Sequence, residues 1–409
     1  MSGQHRRALS PERLRHWRIV RWLLAATFAG IGVASWWLVA AADTPSKPRA
    51  RSGGVASHWP SGAPTATTTA PKATTQSSGP LSFSTSGPGW LASGSDPSRL
   101  PGPVLIADEK NDRLLIIDPS GRTLWQYPGP GDLAAGQTFK TPDDAYFTPN
   151  GKQIIATQED DHVIRVIDIA TRKIVYSYGT PGVPGAGPNQ LNQPESALML
   201  PSGDIVVPDM MNCRISMISA GAHAITRQLG RTGTCTHHPP QTVGIPNGLF
   251  PMANGNYLVT EAAGSWVDEM DLSGRVAWSV QLPGFTYLYE SNEIGPDRYL
   301  TVDHASPGQV VTFDRTGKVL WRYAPTGRAA LNRPSLALTL PNGDFVVVDS
   351  ANHRVIVVDA RTKAVVWQYG QTKVAGTRPG QLNKPTCLDF LPPSSLLIKS
   401  AATMGKIPR

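Results

Sequence analysis

The chain predicts an all-β fold, a six-bladed β-propeller with four-stranded antiparallel blades, preceded by one N-terminal transmembrane helix and a disordered linker. Three observations carry this prediction. The first is a repeat. Leu191-Asn192-Gln193-Pro194, Leu200-Pro201-Ser202-Gly203-Asp204 and Asn212-Cys213-Arg214-Ile215 recur as Leu331-Asn332-Arg333-Pro334, Leu340-Pro341-Asn342-Gly343-Asp344 and Asn352-His353-Arg354-Val355. Self-similarity with a period of about 40–50 residues marks propeller blades. The second is composition: 409 residues with 39 Gly, 37 Pro and little helical signal suit many short strands joined by turns. The third is a strand-like stretch at 385–391 that supplies what the first sheet lacks.

Four regions follow in order. Residues 1–21 form a basic tail, with six arginines against Glu12. Residues 22–42 carry no charge and are long enough to cross a bilayer as a helix. Trp17 and Trp22 flank one end of this run and Trp36 and Trp37 lie near the other, as interfacial belts require. The arginines on the N-terminal side predict a cytoplasmic N-terminus and an extracytoplasmic remainder. Cleavage as a signal peptide near Val39-Ala40-Ala41-Ala42 is the competing reading, and it exports the same chain. Residues 43–98 are rich in Ser, Thr and Pro, bury too little apolar area to offset their ordering entropy, and read as a linker. Residues 99–409 form the propeller. The net charge of +8 belongs to tail and linker, so the folded part is close to neutral and gives no case for nucleic acid.

Within the propeller, strands are named a to d from the axis outward. The clearest blade places a at 335–340, b at 344–349, c at 354–359 and d at 364–369. Val and Ile dominate b and c, as β-branched residues do in packed strands. Pro-Asn-Gly or Pro-Ser-Gly supplies the a–b turns. Strand d carries an aromatic (Trp125, Tyr176, Trp278, Trp321, Trp367) that fills the wedge between blades. Complete blades fall near 143–179, 195–230, 246–284, 286–325 and 334–370. A sixth is split: 104–108, 113–118 and 123–127 read as b, c and d, and 385–391 as their strand a. That pairing closes the ring and removes both open sheet edges. Leu396-Leu397-Ile398 is left over as a further short strand of a different split.

Asp349-Ser350-Ala351-Asn352-His353-Arg354, Asp209-Met210-Met211-Asn212-Cys213-Arg214 and Asp108-Glu109-Lys110-Asn111-Asp112-Arg113 resemble the NHL-repeat family of six-bladed propellers. Thr260-Glu261-Ala262-Ala263-Gly264 and Val302-Asp303-His304-Ala305-Ser306 depart from that pattern. Strand d, as in Gly317-Lys318-Val319-Leu320-Trp321, is also similar to PQQ-type blades, where the motif packs blades and does not bind the quinone. The Asp and Asn of the Asp-x-x-Asn-x-Arg element can bond turn amides at the b–c hairpin, and its Arg can bridge to a neighbouring carboxylate or carbonyl.

Propeller sites gather at the axial channel. The residues that open each strand a near its mouth are Asp143 and Asp144, Glu195, Asn247, Glu290 or Asn292, Ser335 and Thr386. Oxygen donors converging from several blades suit Ca2+, which takes about six to eight oxygens, and lactonase-like six-bladed propellers use an axial calcium. A water-filled polar funnel is the other reading, and no motif demands a cofactor. The resemblance also brings in a peptide-amidating lyase with channel histidines, and six-bladed aryl sulfotransferases use an axial histidine. No strand a carries a histidine here, so neither activity transfers. His237-His238 lies beside Cys235 in the loop 231–245, where a metal site would need further ligands. Cys213 and Cys235 leave the same face of one blade and are expected to pair in an oxidising compartment, leaving Cys387 as a buried thiol.

The expectation is a single-pass, membrane-anchored extracytoplasmic propeller that binds a protein, peptide or cell-wall carbohydrate through its loop face. The alternatives are a hydrolase or lyase with a Ca-like cation on the axis, and a passive scaffold of an envelope complex.

Overall fold

The structure is a computed structural model that describes residues 89–391. The basic tail, the span 22–42, the linker as far as residue 88 and Leu396-Leu397-Ile398 lie outside the described residues. Among the described residues no helix is long and apolar enough to cross a membrane.

The described residues form six four-stranded antiparallel sheets. Blade 1 holds β1 (Val104–Asp108), β2 (Arg113–Ile117) and β3 (Thr123–Tyr127). Blade 2 runs β4 (Pro142–Phe147), β5 (Gln153–Gln158), β6 (Val163–Asp168) and β7 (Lys173–Tyr178). Blade 3 is β8 (Leu198–Met199), β9 (Ile205–Asp209), β10 (Arg214–Ser219) and β11 (Ala224–Leu229). Blade 4 is β12 (Pro246–Pro251), β13 (Tyr257–Glu261), β14 (Trp266–Met270) and β15 (Val276–Gln281). Blade 5 is β16 (Leu288–Gly295), β17 (Arg298–Asp303), β18 (Gln309–Phe313) and β19 (Val319–Tyr323). Blade 6 is β20 (Pro334–Thr339), β21 (Phe345–Asp349), β22 (Arg354–Val358) and β23 (Val365–Tyr369).

The ring closes as the repeat count requires. β24 (Pro385–Phe390) lies antiparallel beside β1, with Phe390 opposite Val104 and Leu388 opposite Ile106. Cys387 on this strand is a buried free thiol.

The middle strands of blades 1 and 6 are largely apolar runs because both their faces are covered. Every residue of β21 and β22 is buried. Between blades 5 and 6, Val302, Val310 and Tyr323 pack on Val347, Ile356 and Val358, and each such buried side chain contributes roughly 1.5–3 kcal/mol. The outer strands are half exposed, and their aromatics also fasten neighbours. The indole of Trp125 donates to the Ile169 carbonyl at 3.2 Å, that of Trp321 to Ala360 at 2.8 Å and that of Trp367 to Pro119 at 2.9 Å. Each acceptor sits at the c–d turn of the next blade, so one ring both fills the wedge and ties the turn.

Two departures from the sequence reading have physical causes. The linker reading ran to residue 98, but residues 90–98 lie on the ring. Ala92 and Asp96 donate to Gln368 and Val366 of β23 at 3.1 and 2.9 Å. Trp90 packs edge-on to Tyr369, and its ring lies over Gly380, where any β-carbon would collide with it. The half-buried Trp90 and Leu91 side chains dock this otherwise polar stretch on the core. The second departure is strand a of blade 3, which shrinks to β8. Pro194 and Glu195 still meet β9, the Glu195 amide donating to the Pro208 carbonyl at 3.0 Å, and the ladder breaks at Ser196, whose amide donates to the Asp144 carboxylate at 2.6 Å.

Candidate functional site on the propeller axis

The same local geometry opens most inner strands. A residue in the left-handed region precedes a proline: Thr141 (φ 43°), Gln193 (54°), Ile245 (56°), Arg333 (52°) and Lys384 (57°). The proline starts strand a, and the next residue is a buried polar side chain: Asp143, Glu195, Asn247, Ser335 or Thr386. The b–c turns of the preceding blades hold these corners. His162 Nδ1 accepts from the Gln193 amide at 3.2 Å, and His353 Nδ1 accepts from the Lys384 amide at 3.0 Å. Both histidines therefore act as clips between blades.

The predicted mouth residues divide into two groups. Asn247, Asn292, Ser335 and Thr386 bond neighbouring inner strands. Asn247 donates to the Leu288 carbonyl at 2.9 Å, Asn292 to Ala337 at 2.8 Å, Ser335 to Thr386, and Thr386 to Asp143 at 2.6 Å. They lace the inner ring together.

Asp143, Asp144, Glu195 and Glu290 come together instead, joined by residues the sequence did not single out. One carboxylate oxygen each of Asp143, Glu159 and Glu195 lies within 4.8 Å of the others. Tyr289 reaches this group from blade 5, donating towards Glu195 at 2.9 Å and Asp143 at 3.3 Å. Tyr146 of blade 2 donates to Glu290 of blade 5 at 3.1 Å. Ser196 of blade 3 bonds both Asp144 and Glu290. Blades 2 and 5 face each other across a six-membered ring, so these bonds span the axis at this level. Asp144 Oδ1 and Glu290 Oε2 are buried without a hydrogen-bond partner.

The electrostatics follow from crowding. Burial, reinforced by the Asp143 charge, pushes the Asp144 carboxyl up to about 7. Burial holds Glu159, Glu195 and Glu290 well above the usual carboxylate range, and neighbouring carboxylates add to it. The nearest cations serve Glu109, whose carboxylate contacts both Lys110 and Lys384. Burial alone would lower the Lys384 ammonium, but Glu109, Asp143 and Glu159 together raise it. Like charges this close cannot all ionise without a counter-charge, so protons or a cation must occupy the cluster.

The Asp-x-x-Asn-x-Arg element is a self-contained structural unit. Asp349 Oδ2 accepts from Asn352 and from Arg354 Nε, both at 2.8 Å, and Oδ1 accepts from the Asn332 amide at 2.8 Å. Asp209 repeats this with Asn212, Arg214 and the Asn192 amide, and Asp108 with Asn111, Arg113 and the Asn383 amide. The Leu-Asn-x-Pro and Asp-x-x-Asn-x-Arg motifs are thus two halves of one joint. Cys213, within the blade 3 copy, forms a disulfide with Cys235, with a Cα separation of 5.1 Å.

One family model, described as outer membrane protein assembly factor BamB, matches residues 236–386. No protein of curated function matches the chain. Among solved structures, a protein of unknown function from Bacteroides caccae is similar at 16% identity over 70% of this chain and 98% of that chain, with a TM-score of 0.48. A streptogramin B lyase is similar at 16% identity over 71% and 86%, with a TM-score of 0.45. A catalytically inactive virginiamycin B lyase from Staphylococcus aureus with quinupristin is similar at 14% identity over 68% and 87%, with a TM-score of 0.44.

Proposed function

We propose that this propeller is an extracytoplasmic recognition module, tethered by a single N-terminal span, whose axial mouth takes a divalent cation and whose d–a loops bind a protein, peptide or cell-wall carbohydrate. The observation that carries the reading is the convergence of Asp143, Glu159 and Glu195 within 4.8 Å. An all-oxygen donor set suits a hard cation such as Ca2+. Asp143 and Glu195 are buried and Glu159 is partly exposed, which leaves a route for the ion and its waters. The three Asp-x-x-Asn-x-Arg joints support an NHL-like organisation. The match to an assembly-factor family supports a scaffold role for blades 4 to 6.

A second reading, a hydrolase or lyase using the same cation, is favoured by one observation. Asp144, held at about 7 beside the cluster, has the pKa of a proton-transfer group working near neutral pH.

The test is luminescence of Tb3+, a Ca2+ surrogate, sensitised by Tyr289 and displaced by Ca2+. Wild-type protein is expected to bind stoichiometrically, and Glu195→Gln and Asp143→Asn to weaken binding on the order of 10-fold or more with the fold intact by circular dichroism. Folded variants that bind like wild type, or a wild type that binds no Tb3+, remove the axial cation.

A further inference from the structure

Blade 4 breaks the joint used by blades 1, 3 and 6. In β13 Glu261 stands where those blades have Asp, and in β14 Trp266 stands where they have Arg, as the strand pairing shows: Glu261 lies opposite Trp266 as Asp349 lies opposite Arg354. Two residues further along β14, Asp268 replaces Leu115, Ser216 and Ile356 of blades 1, 3 and 6. Blade 4 has therefore lost a buried cation and gained a buried carboxylate. Both carboxylates have fully buried side chains.

His237 meets them. Its Nδ1 lies 3.0 Å from Glu261 Oε2 and 3.8 Å from Asp268 Oδ2. The imidazole is stacked flat on Trp266, with centroids 3.8 Å apart and planes 4° from parallel. The loop that carries it is pinned two residues away by the Cys213–Cys235 disulfide. Ser279 on β15 holds Asp268 Oδ1 and turns Oδ2 towards the imidazole. Glu261 Oε1 and Asp268 Oδ2 are buried with no hydrogen-bond partner. A simple His–Glu ion pair would account for one carboxylate and leave the second, with its unpartnered oxygen, unexplained.

We propose that His237, Glu261 and Asp268 form a transition-metal site, separate from the axial cluster, that takes Zn2+ or an ion of similar preference. One nitrogen and two carboxylate oxygens are a zinc donor set, and three protein ligands leave a position for water or substrate. Ligand atoms in a tetrahedral zinc site lie about 3.4 Å apart, and the distances to His237 bracket that value. The side chain of His237 is 17% exposed, which gives the open position access to solvent. On binding, the neutral imidazole presents the Nδ1 lone pair to the ion with its one ring proton on Nε2, and the protons held by the two carboxyls leave to solvent. The Trp266 stack and the Ser279 bond orient the ligands as outer-shell partners do.

The experiment uses the full chain, stripped with a chelator and titrated with Zn2+ by calorimetry, then with Co2+ for its ligand-field absorption. Co2+ should also quench Trp266 emission. The result expected is one tight Zn2+ site whose affinity falls on the order of 10-fold or more in His237→Ala and in the near-isosteric Asp268→Asn, while Glu195→Gln leaves it unchanged. Trp266→Arg, which sets a guanidinium opposite Glu261 as the standard joint does opposite its Asp, should abolish it. Failure of wild type to bind Zn2+, or binding unchanged in folded His237→Ala and Asp268→Asn, overturns the proposal. Loss of Zn2+ in Glu195→Gln with binding retained in His237→Ala places the ion on the axis and overturns it equally. Because the two sites are probed by different variants and ions, failure of one leaves the other standing.

Discussion

Blade 6 and blade 4 share the lengths and register of their three inner strands, yet treat buried charge in opposite ways. In blade 6 the Asp349 carboxylate accepts from a main-chain amide, an asparagine amide and a guanidinium, and Arg354 Nη1 donates to both Gln368 and Thr372. In blade 4 two carboxylates share one imidazole. Regularity here marks what holds the ring together. The place where the pattern lapses, while the scaffold around it stays intact, is where chemistry can be housed without cost to the fold.

The largest effect expected from disturbing this contrast comes from Arg354→Met. It leaves Asp349 buried with no counter-charge, and breaking such a pair costs about 3–5 kcal/mol. Urea unfolding measures it; a loss near zero would mean that the joint is ornamental and that blade 4 is no exception. Next is Cys213→Ser combined with Cys235→Ser. The disulfide spans 22 residues, and opening a loop of that size costs about 3 kcal/mol in the chain-entropy view. The same variant should loosen His237, so Zn2+ affinity should fall along with stability.

The smallest expected effect is a slope with pH in chelator. Asp144, Asp268, Glu261 and Asp389 are raised to about 7, mainly by burial, and Glu159, Glu195 and Glu290 are raised further. An acid raised in the folded state holds protons that the unfolded chain has released. Its contribution is present below the ordinary carboxylate range and is lost as pH rises through about 7. His304, lowered to about 3 by burial, and the lowered His237 and His353 act in the opposite sense below the ordinary histidine range. The carboxyls outnumber them, so the melting temperature of the metal-free protein should rise by several degrees from about pH 8 to about pH 5. Saturating Ca2+ should flatten the slope by favouring the ionised cluster. A melting temperature that falls over this interval in chelator would contradict the protonated state of both acidic groups.

The blades were legible because their signals are local. Pro-Asn-Gly turns, Val-rich middle strands and a tryptophan in strand d each act within a few residues, and the six-blade count paired the strand around Cys387 with the first sheet, as the structure does. The sites were legible only in part. Position after proline pointed to Asp143 and Glu195. Glu159 joins them from a b–c turn of blade 2, and Tyr289 from the far side of the ring, and no spacing along the chain encodes a contact between opposite blades. Likewise Asp268 lies in β14, and only the fold brings it beside His237. The signal that was available is the broken motif at Glu261, which reads as divergence until Trp266 is seen lying flat on an imidazole.

The seam between β24 and β1 carries one more consequence. The ring is fastened by hydrogen bonds between the first sheet and β24, so its integrity depends on synthesis continuing at least as far as Phe390. A product stopped short of Pro385 would expose the full length of β1 as an unpaired ladder, and such an edge recruits strands from other copies. Premature termination would therefore turn a closed ring into an aggregation nucleus while leaving both acidic clusters on the chain.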